Sequence, residues 1–283
     1  MGWGDDLMWL GEARKVWEKN PTAVVHANRK KSIIWDDLDW VVDGDAVTDR
    51  EKIYVTEKPR GNRWYIKGFG NGRIHYQPYE PIPAPYSISE EESLWAVVTI
   101  GKIIQDNKPF IILNPDAKTT TFADNKVWGF DKWQKLCDMV RRKYHVVRLV
   151  PSKNYTDVSG HVEYNEPELE GAYNIEVDNI RDAFAIAEWS KAIVTTEGGM
   201  HHFAAARNKR AFVICGGVVT PEITGYRNRN QTYYVYDHPQ TPCGKQFSCP
   251  HCREAMDSIH PEQIYQDICD FHEGKLTKIY DGI

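Results

Sequence analysis

The chain has 283 residues, 41% hydrophobic and 27% charged, which is the profile of a water-soluble globular protein of one or two domains. A formal net charge of -5 excludes a global pull toward nucleic acid or an anionic membrane surface. No apolar run is long enough to span a bilayer, and Met1-Gly2-Trp3-Gly4-Asp5-Asp6 lacks the basic flank and apolar core of a signal peptide, so the expected setting is cytoplasmic.

Leu7, Met8, Leu10, Ala13, Val16 and Trp17 recur at helical spacing and predict a helix over 7–19. Pro21 disfavours helix at Asn20 and stops it. Short apolar runs follow at 23–25, 33–35 and 53–55. The stretch 58–86 is rich in Gly, Pro, Arg and Tyr and reads as irregular surface loop, the kind of segment that often carries binding groups. Arg60, Arg63, Trp64, Tyr65, Lys67, Arg73, His75, Tyr76 and Tyr79 interleave basic and aromatic groups there. Either they stack sugars or bases and bind phosphates, or the aromatics tuck onto the core. Ser89-Glu90-Glu91-Glu92 opens a helix with the acidic start its dipole favours, running to about Ile104 as a bridge between two halves.

The second half alternates strand and helix. Apolar runs predict strands at 110–113, 146–150, 192–195 and 211–215. Helical patterns lie at 133–140, 181–189 and 200–207, and a last helix starts at Pro261. This alternation implies a parallel, doubly wound α/β domain over 105–283, preceded by a smaller unit over 1–104. Ligands of such sheets sit at the carboxyl ends of strands. Two glycine pairs lie there, Gly198-Gly199 behind Glu197 and Gly216-Gly217. The run Glu197-Gly198-Gly199-Met200-His201-His202 places backbone without side chains, then a helix N-terminus, after a strand. That is a diphosphate cradle or an ordinary strand-to-helix turn.

Cys137, Cys215 and Cys269 stand singly in apolar patterns and read as buried hydrophobes. Cys243, Cys249 and Cys252 cluster, with His238, His251 and His260 nearby. Three thiolates and an imidazole would complete a structural zinc site; free thiols or one disulfide are the alternatives.

These residues together resemble the heptosyltransferase-related glycosyltransferases, the family of the ADP-heptose:lipopolysaccharide heptosyltransferases (glycosyltransferase family 9). Gly4-Asp5 before an apolar helix is similar to the family's Gly-Asp loop, and Lys126-x-Trp128 to its Lys-x-Trp step. The 197–206 run is similar to its acidic-Gly loop and Ala-rich helix, and Gly216-Gly217 with the Cys243 to Glu262 segment to its tail.

The resemblance implies a GT-B-like fold, two Rossmann-like domains facing each other. Here the strand expected before Gly4-Asp5 is missing, so the N-terminal domain is expected to be reduced. It also implies metal-independent, inverting transfer of a sugar from a nucleotide-diphosphate sugar, with no cofactor required. Asp5 then matches the general base that deprotonates the acceptor hydroxyl, with Asp6 as the adjacent substitute; capping of the helix start is the other role open to Asp5.

Lys126 matches the family's diphosphate-neutralising lysine, where the alternative is a solvated lysine. Thr119, Thr120 and Thr121 could donate to the same phosphates or simply be loop. Glu176 stands roughly where the family keeps a ribose-binding glutamate. His202 meets the diphosphate or sugar, or is a hydrogen-bonded core histidine. Glu197, Gly198, Gly199, Met200, Gly216 and Gly217 complete the expected donor site, and Arg63, Trp64, Arg73 and His75 the acceptor side. The acceptor would be a glycan, lipopolysaccharide or a modified nucleic-acid base; a non-catalytic sugar-binding module is the competing class.

Overall fold

The computed structural model describes residues 2–27, 32–43, 46–55, 64–115, 123–157, 160–161, 168–227 and 230–276. Thr119, Thr120, Thr121, Arg60 and Arg63 lie outside them.

Helix α1 (Trp3–Trp17) begins four residues earlier than its apolar pattern, because Asp5 and Asp6 in the first turn complement the helix dipole. Gly4 and Asp5 therefore belong to the first turn of a helix and not to a preceding loop. Three short parallel strands follow, β1 (Val24–Ala27), β2 (Val41–Asp43) and β3 (Lys52–Ile53), in the order β2-β1-β3. The apolar run at 33–35 is a turn of 3-10 helix, started where the Ser32 hydroxyl accepts from the Ile34 amide.

The stretch expected to be irregular contains an antiparallel hairpin, β4 (Ile66–Gly70) and β5 (Arg73–Tyr76). Its turn is Asn71-Gly72, both with positive φ, at 49° and 68°. That is the conformation a two-residue hairpin turn requires and Asn-Gly supplies. Helix α2 (Glu90–Ile103) carries the expected capping box between Ser89 and Glu92.

The second half is built on one parallel sheet. Its strands are β6 (Phe110–Asn114), β7 (His145–Pro151), β10 (Tyr173–Val177), β11 (Ala192–Thr196), β12 (Ala211–Gly216) and β13 (Gln231–Val235). A two-stranded ribbon, β8 (Thr156–Asp157) with β9 (Gly160–His161), interrupts the sequence after β7. The sheet order is β10-β7-β6-β11-β12-β13 with every pairing parallel. In chain order this is 3-2-1-4-5-6, the Rossmann arrangement, whose switch point falls between β6 and β11. Helices α3 (Phe130–Val140), α4 (Ile180–Glu188), α5 (Gly199–Ala206), α6 (Pro221–Thr224), α7 (Pro250–Ser258) and α8 (Pro261–His272) complete it.

The largest buried cluster does not respect the midpoint of the chain. It joins Leu7, Trp9, Val25, Trp35 and Ala96 to Ile112, Val147, Phe184, Phe203 and Cys215. Arg181 of α4 fastens the same boundary. Its guanidinium pairs with Glu92 of α2 and with Asp37, donates to the Ile33 carbonyl at 3.1 Å, and stacks 5.2 Å from the Tyr86 ring centre. No helix among the described residues is long and apolar enough to cross a membrane.

Candidate active site

The switch point puts the end of β11 where a ligand of this fold belongs, and Glu197 is the next residue. Its carboxylate is buried and ion-paired with Lys126, which stands at the end of a 3-10 turn (Ala123–Lys126). His202, on the first full turn of α5, brings Nε2 to 3.6 Å from the other carboxylate oxygen. Burial by itself would raise the Glu197 pKa; Lys126 and the His202 contact outweigh it and hold the carboxyl well below its usual range.

The His202 ring is fixed from the far side by the Tyr226 hydroxyl at 2.8 Å from Nδ1. His201 packs beside it, with Nε2 3.2 Å from the Tyr233 hydroxyl. Burial, then the neighbouring His202, pushes the pKa of His201 down to about 3, so it stays neutral. Glu197, His201 and His202 have the spacing of a cation site, but the Lys126 ammonium already provides the positive charge beside the carboxylate.

Two helix N-termini meet at this point. A Cβ built on Gly4 of α1 would lie 2.6 Å from His202 Cδ2 and 3.5 Å from the Gly198 carbonyl carbon. One built on Gly199 would lie 3.2 Å from Trp3 Cβ. The backbones of α1 and α5 thus cross as closely as glycine allows. Gly198 differs: a Cβ there meets nothing within 4 Å, so its face is open. Unsatisfied N–H groups and the positive ends of two helix dipoles favour an anion at such a junction.

Asp5 follows directly on Gly4. One carboxylate oxygen accepts from the Tyr65 hydroxyl at 2.9 Å and the other from the Gly2 amide at 3.3 Å. Asp5 therefore closes the helix start through Gly2 while its other oxygen, half-buried, is held by Tyr65. Tyr65 stands in the turn just before β4; it was one of the interleaved aromatics of 58–86 but not of the expected acceptor set, and the Asn71-Gly72 turn is the signal that a hairpin stands there. Tyr226 is likewise unforeseen, with no signal in its neighbourhood.

Several expected residues stand elsewhere. Asp6 is buried and accepts from the Ser32 hydroxyl at 2.8 Å, so it is turned into the fold and is no substitute base. The Met200 side chain is buried in the shared core, leaving only its backbone to the cradle. Gly216 and Gly217 are required by packing: a Cβ would sit 2.8 Å from Met256 Cε and 2.8 Å from Ala255 Cβ of α7. They do not form an open second cradle. Trp64 is buried and stacks on Tyr79 at 6.0 Å, as core rather than acceptor platform. Arg73 donates to the Cys243 carbonyl at 3.2 Å, while His75 is exposed on β5. Glu176 is exposed on the edge strand β10, three strand spacings from β11, about 14 Å. Only an extended ligand would reach both it and Glu197.

The cysteine cluster is a separate group. Sγ of Cys243, Cys249 and Cys252 and a ring nitrogen of His251 lie within 4.8 Å of one another. Of the three nearby histidines, His251 alone joins them; His260 occupies the N-cap position of α8 without a side-chain capping bond.

A doubly wound sheet that brings an acidic residue, its paired lysine and two helix N-termini to the switch point is built to hold an anionic ligand there. The model of glycosyltransferase family 9 (heptosyltransferase) matches residues 77–254, well over half of the chain, and the chain belongs to that family. Among solved structures it is similar to ADP-heptose LPS heptosyltransferase II of E. coli, at 14% identity and a TM-score of 0.62, with 97% of each chain covered. It is also similar to TibC, the iron-containing dodecameric glycosyltransferase of enterotoxigenic E. coli H10407, at 12% identity and a TM-score of 0.61, covering 98% of this chain and 75% of that one. A second TibC structure, in complex with ADP-D-beta-D-heptose, gives 14% identity and a TM-score of 0.60 over 96% of this chain and 74% of that one. These likenesses agree on the GT-B fold. A search of curated proteins finds no match.

Proposed function

We propose that the protein transfers a sugar from a nucleotide-diphosphate sugar to an acceptor hydroxyl, with inversion and without a metal ion in the transfer step. The observation that supports this is the junction of α1 and α5. It sets the Asp5 carboxylate one residue from a backbone crossing that also carries Gly198, His202 and the Glu197–Lys126 pair.

The diphosphate would lie on the open Gly198 face, against the α5 N-terminus and Lys126. Charge that develops on the leaving diphosphate meets a fixed ammonium and helix N–H groups, which lowers the barrier. Asp5, steadied by Tyr65, takes the acceptor proton. The acceptor oxygen bonds to the anomeric carbon from the side opposite the breaking bond to phosphate, which inverts that carbon. Glu176 at the sheet edge is the proposed ribose contact.

The donor is of the nucleoside-diphosphate heptose kind held in the TibC complex, and the acceptor a glycan or lipopolysaccharide core. Nothing in the comparisons supports a nucleic-acid acceptor. Residues 1–104 serve the acceptor side and 105–283 the donor, in a cytoplasmic setting. A structural zinc ion on Cys243, Cys249 and Cys252 belongs to this reading as scaffold, not reagent.

The test is donor-dependent transfer with Asp5→Asn beside wild type, and the anomeric configuration of the product read by NMR. The variant keeps its melting temperature and donor affinity and loses about two or more orders of magnitude in turnover. Wild-type turnover in the variant, or retention at the anomeric carbon, overturns the mechanism.

A further inference from the structure

Three buried thiols in one loop need an explanation that the transfer chemistry does not give. Cys243, Cys249, His251 and Cys252 come from a ten-residue stretch, the loop before α7 and the first turn of that helix. The Cys243 and Cys249 sulfurs are 3.8 Å apart, and His251 Nδ1 is 3.9 Å from the Cys252 sulfur. A disulfide needs about 2.05 Å between sulfurs, so these are free thiols. Bonds of about 2.3 Å to sulfur and 2.0 Å to nitrogen in a tetrahedron give ligand-to-ligand edges of roughly 3.5–3.8 Å. The Cys243–Cys249 spacing is such an edge, the His251–Cys252 spacing is slightly longer than one, and all four ligand atoms lie within 4.8 Å of one another.

The imidazole is also oriented for the role. With Nδ1 facing the sulfurs, Nε2 lies 3.3 Å from the Thr241 hydroxyl, an outer partner that fixes the ring as metal-binding histidines require. The remaining cysteines, Cys137, Cys215 and Cys269, are not part of any such group among the described residues.

The loop between the first two thiols reaches both sides of the active site. Its Gly244 carbonyl accepts from the Ile74 amide at 2.7 Å, and its Gln246 amide donates to the Gly72 carbonyl at 2.9 Å. These bonds, with Arg73 on the Cys243 carbonyl, pin the β4–β5 hairpin that follows Tyr65. In the other direction the Asn125 side chain donates to the Lys245 and Phe247 carbonyls at 2.8 and 2.9 Å. Asn125 is the neighbour of Lys126.

We propose that Cys243, Cys249, His251 and Cys252 bind one tetrahedral metal ion, zinc by the chemistry of three thiolates and an imidazole, and that this knuckle positions Tyr65 and Lys126 together. Four protein ligands close the coordination sphere, so the ion is structural and offers no open position to substrate. The site stands whether or not the proposed transfer is right; only the positioning role rests on that reading.

The experiment uses the full chain purified without chelator. Elemental analysis is expected to give about one zinc per chain, and iron in its place would identify the alternative occupant of the same ligands. After removal of the metal, titration with cobalt(II) is expected to give the intense visible bands of tetrahedral thiolate coordination. His251→Cys retains the metal and the bands; His251→Ala loses at least tenfold in metal affinity.

Hydrogen exchange of 72–76 and 243–247 rises on metal removal and falls on its return. Turnover falls at least tenfold and recovers with the same stoichiometry. A chain with no bound metal and no cobalt spectrum overturns the site. Metal that can be removed with no change in exchange at 72–76 or in turnover overturns the positioning role.

Discussion

Replacing Gly4 by alanine tests the crossing of α1 and α5 directly. The new methyl would lie 2.6 Å from His202 Cδ2, about 1 Å inside ordinary carbon–carbon contact. The ring cannot simply swing away, since Tyr226 holds Nδ1 at 2.8 Å and Glu197 faces Nε2. Overpacking of this kind costs about 1–3 kcal/mol. Alanine recovers about 0.5–1 kcal/mol of that as a better helix residue than glycine. The net loss is up to about 2.5 kcal/mol, or a melting temperature lower by up to about 4 °C for a chain of this size. If Asp5 is the proposed base, catalysis suffers more, because parting the helices by about 1 Å displaces its carboxylate, and displacement on that scale costs about a hundredfold. Thermal unfolding and steady-state transfer by the purified variant give both numbers. An alanine variant that melts at or above wild type and turns over normally refutes the close crossing.

Gly198→Val, with open space around its Cβ, leaves the melting temperature unchanged and abolishes binding of a nucleoside diphosphate; unchanged affinity in calorimetry ends the cradle assignment. Lys126→Met strands the buried Glu197 carboxylate and costs about 3–5 kcal/mol. Adding Glu197→Gln restores stability in urea unfolding but not donor binding, whereas a double variant no more stable than the single one refutes the pair.

His201 is held at a pKa of about 3, below the 6.5 of an unfolded histidine. The unfolded chain therefore binds the extra proton first, and stability from this group, full above pH 6.5, drains away as pH falls toward 3, by up to about 1.4 kcal/mol per unit. His201→Gln removes that slope, and parallel stability curves for the two proteins between pH 6.5 and 4 refute it.

The Rossmann half was legible because strands buried on both faces leave continuous apolar runs, as in Phe110-Ile111-Ile112-Leu113 and Ala211-Phe212-Val213-Ile214. Edge strands β10 and β13 carry no such run: Asn174 and Glu176 or Thr232 and Tyr233 interrupt them, and both passed unrecognised. In the first half local chemistry misled. Ile33-Ile34-Trp35 is as apolar as a strand, yet Ser32 caps it into a helical turn. The hairpin was written in Asn71-Gly72, under a surplus of Arg and Tyr that read as loop.

At the site, glycine was visible but its reason was not. Gly4 and Gly199 serve a helix crossing, Gly216 and Gly217 make room for α7, and Gly198 alone faces open space. Only tertiary contacts separate these uses. Asp6 illustrates the same limit, since nothing in its sequence says that it faces Ser32 while Asp5 faces Tyr65.

The buried cluster that unites Leu7 and Trp35 with Val147 and Phe184 gives the two halves a shared core. A cut after Ile104 would strip apolar surface bare on both fragments, so neither would be an autonomous building block. For an evolving sequence this ties the helix that carries Asp5 to the sheet that carries Glu197: any drift in core volume on one side must be answered on the other. Change is freest at exposed positions such as His75, where side chains answer to no shared interior.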